Sequence, residues 1–308
     1  MAMATNVGAM KVGFVGLGNM GLPMALRLLD AGHEVVGCDV RDAMHNEFKS
    51  RGGQWAASPA EVALQCETVF VSLPTPTIVE RVALGPQGLV EGGRMKIYVD
   101  LSTTGPQMAK TVAAELGKRG IASLDAPVSG GIAGAAKGTL SIMASGPRDA
   151  FEKVSPLFEC FGKTPFYVGE AAGGGQLMKL INNLLSATTL AASCEALAFG
   201  MKGGLDPEVM LTVLNASTGR SGATDDKIPR YVLPGQPISF DLNLSFKDVS
   251  LAVEAGEQLN VPMYFGRTTR QLWHHTLCIG GPEQDMMNVA KCIDGYAGTK
   301  LYGSVPKK

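Results

Sequence analysis

The sequence predicts an α/β domain with a doubly wound, mainly parallel sheet, followed by an all-α domain that a long helix joins to it. Three observations support this prediction. The length of 308 residues is enough for about two domains. Short apolar runs alternate with amphipathic stretches up to about residue 169, and only helical periodicity follows residue 173. We therefore place the α/β domain at residues 10–172 and the all-α domain at residues 173–302.

The first half of the chain has the pattern of buried strands separated by helices. The apolar run Lys11–Gly16 predicts a first strand, and the apolar residues from Leu22 to Leu29 then follow helical spacing. Similar runs predict further strands at 34–39, 68–73, 96–100, 121–124, 140–144 and 166–168. Such alternation is typical of a parallel sheet with helices on both faces.

The second half has the pattern of helices alone. Apolar residues keep helical spacing from Gln176 to about Lys202, with no breaker before Gly200. One helix of some 27 residues is therefore expected, about 40 Å long and suited to connecting two domains. Further helices are predicted at 207–215, 244–258, 263–277 and 286–293.

Composition narrows the classes of function. A net charge of −1 argues against a nucleic-acid partner, and no uninterrupted apolar run is long enough to predict a membrane span. The 6 cysteines are dispersed, which favours reduced thiols, and the first residues lack the features of a secretory signal. We expect a cytoplasmic protein. The histidines and cysteines have no metal-ligand spacing, so no metal site is predicted.

A glycine-rich turn follows the first predicted strand. Its six residues match G-x-G-x-x-G and are Gly16, Leu17, Gly18, Asn19, Met20 and Gly21. The glycines allow a tight turn, a close approach of backbone to a pyrophosphate, and close packing of helix on strand. Because the motif lies between a strand and a helix, it predicts a Rossmann-type dinucleotide site at the helix N-terminus.

The preferred nucleotide is indicated by the end of the second predicted strand. Asp39 lies 18 residues after Gly21, where a carboxylate accepts hydrogen bonds from the adenosine ribose and repels a 2′-phosphate. This favours NAD. Arg41 could instead meet a 2′-phosphate, so NADP stays possible.

Three loops follow later predicted strands, at the edge of the sheet where ligands gather in such folds. Two of them are residues 73–76 (LPTP) and 100–104 (DLSTT). The third contains Ser129, Gly130 and Gly131, whose hydroxyl and backbone N–H groups suit a small carboxylate. A plain turn remains the alternative for each loop.

Lys179 and Asn183 are four residues apart on the predicted long helix and therefore share one face. A helical lysine is usually a solvated charge. This one lies near the start of the helix, where we expect it to border the nucleotide cleft. Partial desolvation there would lower its pKa toward a range useful for proton transfer.

Four motifs together resemble the β-hydroxyacid dehydrogenase family, which includes 3-hydroxyisobutyrate dehydrogenase and tartronate semialdehyde reductase. The resemblance covers about residues 10–300 and keeps the order of the family's motifs. They are GFVGLGNMGLPM at 13–24, DAPVSGG at 125–131, GGGQLMKLINN at 173–183 and FKDVSLA at 246–252.

The resemblance implies a role for each matching residue. Lys179 would be the acid/base, Asn183 would hold the substrate beside it, and the Ser129-Gly130-Gly131 loop would bind the substrate carboxylate. The remaining matches would serve the cofactor: Thr103 beside the nicotinamide, Leu73 and Pro74 along its path, and Lys247 reaching it from the helical domain.

The implied activity is NAD(P)-dependent interconversion of a small 3-hydroxyacid with its semialdehyde or 3-oxo acid. The family resemblance also implies a homodimer or homotetramer. Two alternatives are a catalytically silent NAD-binding scaffold, which retention of Lys179 and Asn183 disfavours, and an imine reductase on a related fold. The sequence assigns no role to Arg220, Asp225 or Asp226.

Overall fold

The computed structural model describes residues 8–280 and 284–305, apart from the side chain of Asp42. The chain divides into two compact units, one ending at Lys179 and the other beginning at Leu180. A single helix, Gly174–Lys202, contains the point where the chain passes from the first unit to the second.

The first unit is built on one mixed sheet. Its strands are β1 (Lys11–Val15), β2 (Glu34–Cys38), β3 (Gln54–Trp55), β4 (Thr68–Val71), β5 (Ile97–Asp100), β6 (Ala122–Asp125), β7 (Val128–Ser129), β8 (Leu140–Ser145) and β9 (Gly162–Gly169). Their order is β3-β2-β1-β4-β5-β6-β8-β7, and β9 pairs with β8. Strands β1 to β6 pair in parallel, whereas β8 runs antiparallel to β6 and β7. The order β3-β2-β1-β4-β5-β6 is that of a dinucleotide-binding sheet.

Helices follow most of the strands. They are α1 (Gly21–Asp30), α2 (Asp42–Ser50), α3 (Pro59–Gln65), α4 (Pro76–Leu84), α5 (Pro106–Gly117), α6 (Gly131–Lys137) and α7 (Arg148–Phe158). The starts of α3 and α4 are encoded locally. Ser58 and Thr75 accept hydrogen bonds from backbone N–H groups of the first turn, and a proline follows each at the first helical position.

The core lies on both faces of this sheet. Side chains alternate along β1, so that Val12 and Phe14 enter one buried cluster while Val15 enters the other. The predicted α/β class is therefore confirmed, with every predicted strand present. Two strands of two residues each, β3 and β7, were not predicted, and β9 starts at Gly162 rather than 166.

The described residues of the second unit form helices joined by loops, with one isolated β-bridge between Asp241 and Asp285. Its elements are the rest of α8 (Gly174–Lys202), α9 (Pro207–Asn215), a π-helix (Ala223–Val232), α10 (Leu242–Gln258), α11 (Tyr264–Ile279) and α12 (Asn288–Ala297). Trp273 is completely buried in its core and donates a hydrogen bond to the Ser245 hydroxyl at 2.8 Å. The π-helix was not predicted, and α12 starts two residues later than the pattern indicated.

Helix α8 is the one described helix that is long and apolar enough to cross a membrane by length and composition alone. It has 29 residues, and the mean hydropathy of its most apolar window is 1.4. Core helices of globular proteins pass the same test, and 39% of that window is buried within the protein. The expectation of no membrane span stays a prediction.

The last residue of β5, Asp100, is buried, with 3% of its surface exposed. Its Oδ1 accepts from the Ser102 N–H at 2.9 Å, and its Oδ2 lies 3.4 Å from the Thr104 hydroxyl. Burial raises the pKa of Asp100 to about 7, and the nearby carboxylate of Asp125 adds to the rise, while the bonds from Ser102 and Thr104 oppose it. The folded protein therefore holds a proton here that an unfolded chain releases near pH 4.

We expect Asp100→Asn to stabilise the protein at pH 8 by about 1 kcal/mol or more relative to the wild type. The raised pKa makes folding of the wild type less favourable as pH rises from 3.8, the ordinary value, to about 7. The gain should therefore disappear as pH falls toward 4. Urea unfolding of both proteins at several pH values measures it. The exposed Asp149→Asn is the control, and an equal effect of both substitutions, or a gain that grows at low pH, would contradict the prediction.

Candidate functional site

The turn between β1 and α1 can be built only with glycine at its key positions. Gly16 has a φ of +91°, and a Cβ there would overlap the carbonyl oxygen of Ser72. A Cβ on Gly21 would overlap the carbonyl oxygen of Gly16. Helix α1 then begins with neither an acidic residue in its first turn nor a side-chain cap among the described residues. Its first N–H groups and positive dipole end therefore suit an anion.

The other motif residues differ in exposure. Leu17 is buried and its N–H donates to Asp39 Oδ2 at 2.7 Å, whereas Asn19 is exposed and Met20 is half-buried. This bond connects the glycine turn to the end of β2. It fixes the orientation of the Asp39 carboxylate, of which only 6% is exposed.

Arg41 also binds the Asp39 carboxylate. Its Nε lies 3.1 Å from Asp39 Oδ1, and its backbone N–H donates to the same oxygen at 2.9 Å. The guanidinium extends over the glycine turn, because a Cβ on Gly18 would lie 2.8 Å from Arg41 Nη2. A carboxylate has about four acceptor positions, and the N–H groups of Leu17 and Arg41 occupy all of them, so ribose hydroxyls would bind Asp39 by replacing the half-exposed Arg41 side chain. The glycine turn, the open helix end and Asp39 thus fit a dinucleotide.

Three further residues predicted to contact the cofactor lie in the loops after β4 and β5, at the same edge of the sheet. The Leu73 N–H donates to the Ser102 hydroxyl at 2.9 Å, which joins the two loops. Pro74 beside it is exposed, and Thr103 is half-buried. The carboxyl ends of parallel strands β1, β4 and β5 therefore bring these residues to one edge of the first unit.

The predicted carboxylate loop follows β6. Ser129 ends β7, Gly130 has a φ of +135°, and Gly131 begins α6 with a φ of +65°. Positive φ values of this kind favour glycine, and Gly130 and Gly131 are both exposed. No described side chain caps α6, so the backbone N–H groups at its start are suitably placed for an anion.

The start of α8 is held by buried polar side chains of the first unit. Asp125, the last residue of β6, accepts from the Gly173 N–H at 2.8 Å and the Gln176 N–H at 2.9 Å. The Ser145 hydroxyl donates to the same carboxylate at 2.9 Å. Burial raises the pKa of Asp125, and these three hydrogen bonds oppose the rise. Asp125 is therefore an N-terminal cap for the helix that carries Lys179.

Gln176 adds a second connection. Its Oε1 accepts from the Thr104 and Gly105 N–H groups at 2.9 and 3.2 Å, and its Nε2 donates to the Ser102 carbonyl at 2.8 Å. Gln176 is completely buried. The amide thus fixes the first turn of α8 to the loop that follows β5, which contains Thr103.

The proposed catalytic lysine lies one turn further along α8. Lys179 is 8% exposed, unusually little for a lysine. Asn183, four residues on, is half-buried, and its Nδ2 donates to Asp248 Oδ2 at 2.6 Å. Lys247 Nζ forms an ion pair with Asp248 Oδ1 at 3.1 Å. Asp248 of α10 therefore orients both Asn183 and Lys247, a function that the sequence left unassigned.

Sequence reasoning missed Asp100, Asp125 and Gln176. The available signal was an acid as the last residue of a buried strand, which usually needs partners when it is buried. The three residues left without a role prove to form exposed ion pairs around the π-helix. Arg220 pairs with Asp225 at 2.9 Å, and Arg230 pairs with Asp226 at 2.7 Å.

Two family models match the chain in succession. The NAD binding domain of 6-phosphogluconate dehydrogenase matches residues 11–169. The NAD-binding domain of NADP-dependent 3-hydroxyisobutyrate dehydrogenase matches residues 173–293. Together they span both units of the structure.

Individual proteins are similar over nearly the whole chain. The 2-(hydroxymethyl)glutarate dehydrogenase of Eubacterium barkeri is 36% identical over 96% of this chain and 98% of its own. The mitochondrial 3-hydroxyisobutyrate dehydrogenase of Mus musculus is 35% identical over 90% and 85%. The solved structure of Mycobacterium tuberculosis 3-hydroxyisobutyrate dehydrogenase with L-serine superposes with a TM-score of 0.86, at 28% identity over 93% of this chain and 99% of that chain.

Fold, dinucleotide motif and relatives agree on the class, a Rossmann-type oxidoreductase with a helical C-terminal unit. The chain belongs to the β-hydroxyacid dehydrogenase family. It is an NAD(P)-dependent dehydrogenase of hydroxyacids, so the resemblance found in the sequence is confirmed.

We expect Gly21→Ala to destabilise the first unit by about 2 kcal/mol or more, since the new methyl group would overlap backbone that cannot move independently. Gly117→Ala is the matched control. It lies in the last turn of α5, where a Cβ meets nothing within 4 Å, and should be neutral or slightly stabilising.

Chemical denaturation measures the free energy of unfolding of both variants, and titration with NADH measures their affinity for the nucleotide. Equal stability of the two variants would show that the close contact between the Gly16 carbonyl oxygen and residue 21 does not require glycine at position 21.

Proposed function

We propose that this enzyme oxidises the primary or secondary alcohol of a small 3-hydroxyacid, with Lys179 as the acid/base. The observation that supports this most strongly is the burial of Lys179 just after the helix start that Asp125 and Gln176 fix at the carboxyl edge of the sheet. The nucleotide motif and the Ser129 loop lie at the same edge.

The chemistry divides between cofactor and protein. A nicotinamide cofactor held by the glycine turn and Asp39 would supply the hydride chemistry in both directions, and the proton transfer would fall to the protein. In oxidation, neutral Lys179 Nζ takes the hydroxyl proton as the carbon–oxygen double bond forms. In reduction, protonated Lys179 stabilises the charge that develops on the carbonyl oxygen and donates the proton to it.

The other residues position the substrate. Asn183 has a second N–H besides the one that Asp248 binds, and this N–H would donate to the substrate oxygen. Ser129 and the N–H groups of Gly130 and Gly131 would bind the C1 carboxylate. Lys247 would contact the nucleotide, with its ammonium oriented by Asp248.

The substrate class follows from the family and from the relatives. The E. barkeri relative is named for 2-(hydroxymethyl)glutarate, and the mouse relative for 3-hydroxyisobutyrate. Both compounds are 3-hydroxyacids. In each of them the carbon that bears the alcohol is bonded to a second carbon, and this second carbon carries the carboxylate. We propose that this shared fragment is what the residues named above recognise.

Lys179→Ala should lower kcat by about a hundredfold or more, the usual range for loss of a general acid/base. NADH binding should persist, because the glycine turn and Asp39 are unchanged. Steady-state kinetics with a panel of 3-hydroxyacids and fluorescence titration with NADH measure the two properties.

The exposed Lys110→Ala on α5 is the matched control and should keep wild-type kinetics. Turnover within a few-fold of wild type in the Lys179→Ala variant would remove Lys179 from the mechanism.

We further propose that NAD is preferred over NADP, since the buried Asp39 carboxylate would repel a 2′-phosphate. The ion pair with Arg41 weakens this repulsion and places a guanidinium beside the same position.

Asp39→Asn should therefore raise the NADP/NAD ratio of kcat/KM by about tenfold or more, since it removes the repelling charge and leaves Arg41 in place. Arg41→Ala should lower that ratio. Initial rates with both nucleotides measure it. A wild-type preference for NADP, or a ratio that neither substitution changes, would refute the assignment of Asp39.

A cytoplasmic location and a homodimeric or homotetrameric assembly stay predictions from the sequence. The apolar side chains of Phe199, Val209 and Val213 are exposed on the second unit, which supports the predicted self-association.

A further inference from the structure

A lysine that the sequence did not single out lies on the π-helix. Lys227 is half-buried, and its Nζ donates to the Ser186 hydroxyl and lies 3.5 Å from the Ser186 carbonyl oxygen. Ser186 is on α8, three residues beyond Asn183. The π-helix is a rare conformation that occurs frequently at functional sites, and here it presents Lys227 to α8.

The ammonium of Lys227 forms no ion pair with a carboxylate of the described residues. The adjacent acids are engaged elsewhere, Asp225 with Arg220 and Asp226 with Arg230. Burial lowers the pKa of Lys227 to about 8, and the charge of Asp226 opposes the change only in part. A half-buried cation whose described acceptors are neutral oxygens is stabilised when an anion is bound beside it.

Helical geometry relates this cation to the proposed substrate site. Asn183 and Ser186 are about 60° apart around α8 and about 4.5 Å apart along its axis, and Lys179 shares the same face. Lys227 therefore meets α8 about one turn from the amide that would hold the substrate. When a five-carbon chain is extended, its two terminal carboxyl carbons are about 5 Å apart.

We propose that Lys227 binds a second, distal carboxylate of the substrate, so that the preferred substrates are dicarboxylic 3-hydroxyacids. This inference rests on the proposed function. The ammonium donates to a carboxylate oxygen as a charge-assisted hydrogen bond, and the Ser186 hydroxyl keeps the ammonium directed at this face of α8. Monocarboxylic 3-hydroxyacids lack the group that would balance this charge.

A purely structural role is the competing interpretation, in which Lys227 only ties the π-helix to α8 through Ser186. The two roles differ in substrate dependence. A structural tie affects all substrates alike and is weakened by Ser186→Ala as well. A carboxylate-binding role changes the discrimination between substrates and requires the positive charge.

The test compares kcat/KM for 2-(hydroxymethyl)glutarate and 3-hydroxyisobutyrate in the purified full-length enzyme. The wild type should prefer the dicarboxylate, and Lys227→Met should lower the ratio of the two values by at least about thirtyfold. Lys227→Arg should retain most of the ratio, and Ser186→Ala should change it by less than Lys227→Met does. Lys227→Gln gives the same information if the methionine variant does not fold.

Binding of unreactive analogues provides a second readout. In the presence of NADH, calorimetry should show that 2-methylglutarate binds the wild type more tightly than isobutyrate, and that Lys227→Met abolishes the difference. An unchanged ratio in both neutral variants, or a wild-type preference for the monocarboxylate, would overturn the inference. A wild type that binds NADH but oxidises neither hydroxyacid would instead contradict the proposed function.

Discussion

The buried carboxylate of Asp125 accepts hydrogen bonds from the N–H groups of Gly173 and Gln176, and the position of α8 depends on them. Buried backbone N–H groups at a helix start must find acceptors, and a charged acceptor at a strand end supplies a fixed one. Lys179 follows by one turn. The end of α8 that carries Lys179 is therefore placed by the sheet itself rather than by a surface loop.

This placement uses a connected set of polar groups rather than one bond. The Gln176 amide binds backbone of the loop after β5, and the Ser102 hydroxyl in that loop accepts from Leu73 after β4. A movement of any one of these loops would leave buried polar groups without partners, which is energetically costly. The hydrogen bonds that pair these buried polar groups therefore also align the loops of the predicted nicotinamide path with the start of α8.

In the second unit, the polar face of α8 is organised by side chains from other helices. Asp248 of α10 binds Asn183, and Lys227 of the π-helix binds Ser186 one turn further on. Each contact adds a group of defined charge along one face of α8. The helix therefore carries a series of polar groups at fixed spacing, which is consistent with the proposed recognition of small, charged substrates.

Local patterns in the sequence determined much of the fold and the nucleotide motif. Alternation of apolar runs predicted the strands, because burial on both sheet faces requires continuous apolar sequence. Gly16 and Gly21 were identifiable since only glycine fits such a turn. The two-residue strands and the π-helix were not predictable. A strand of two residues is too short to show an alternating pattern of apolar and polar side chains. The π-helix contains Pro229 and two adjacent acids, a composition that is typical of a loop.

The role of a polar side chain was decided only in the tertiary structure. Asp125, Asp248 and Lys227 act through partners 48, 65 and 41 residues away in sequence, and no local pattern encodes such pairings. The sequence by itself determined the helices, the longer strands and the glycine turn, because helix and strand propensity, the spacing of apolar residues and the conformational freedom of glycine are local properties. The fold decided which charges are desolvated and what they face, because desolvation and hydrogen bonding depend on neighbours that only folding brings together.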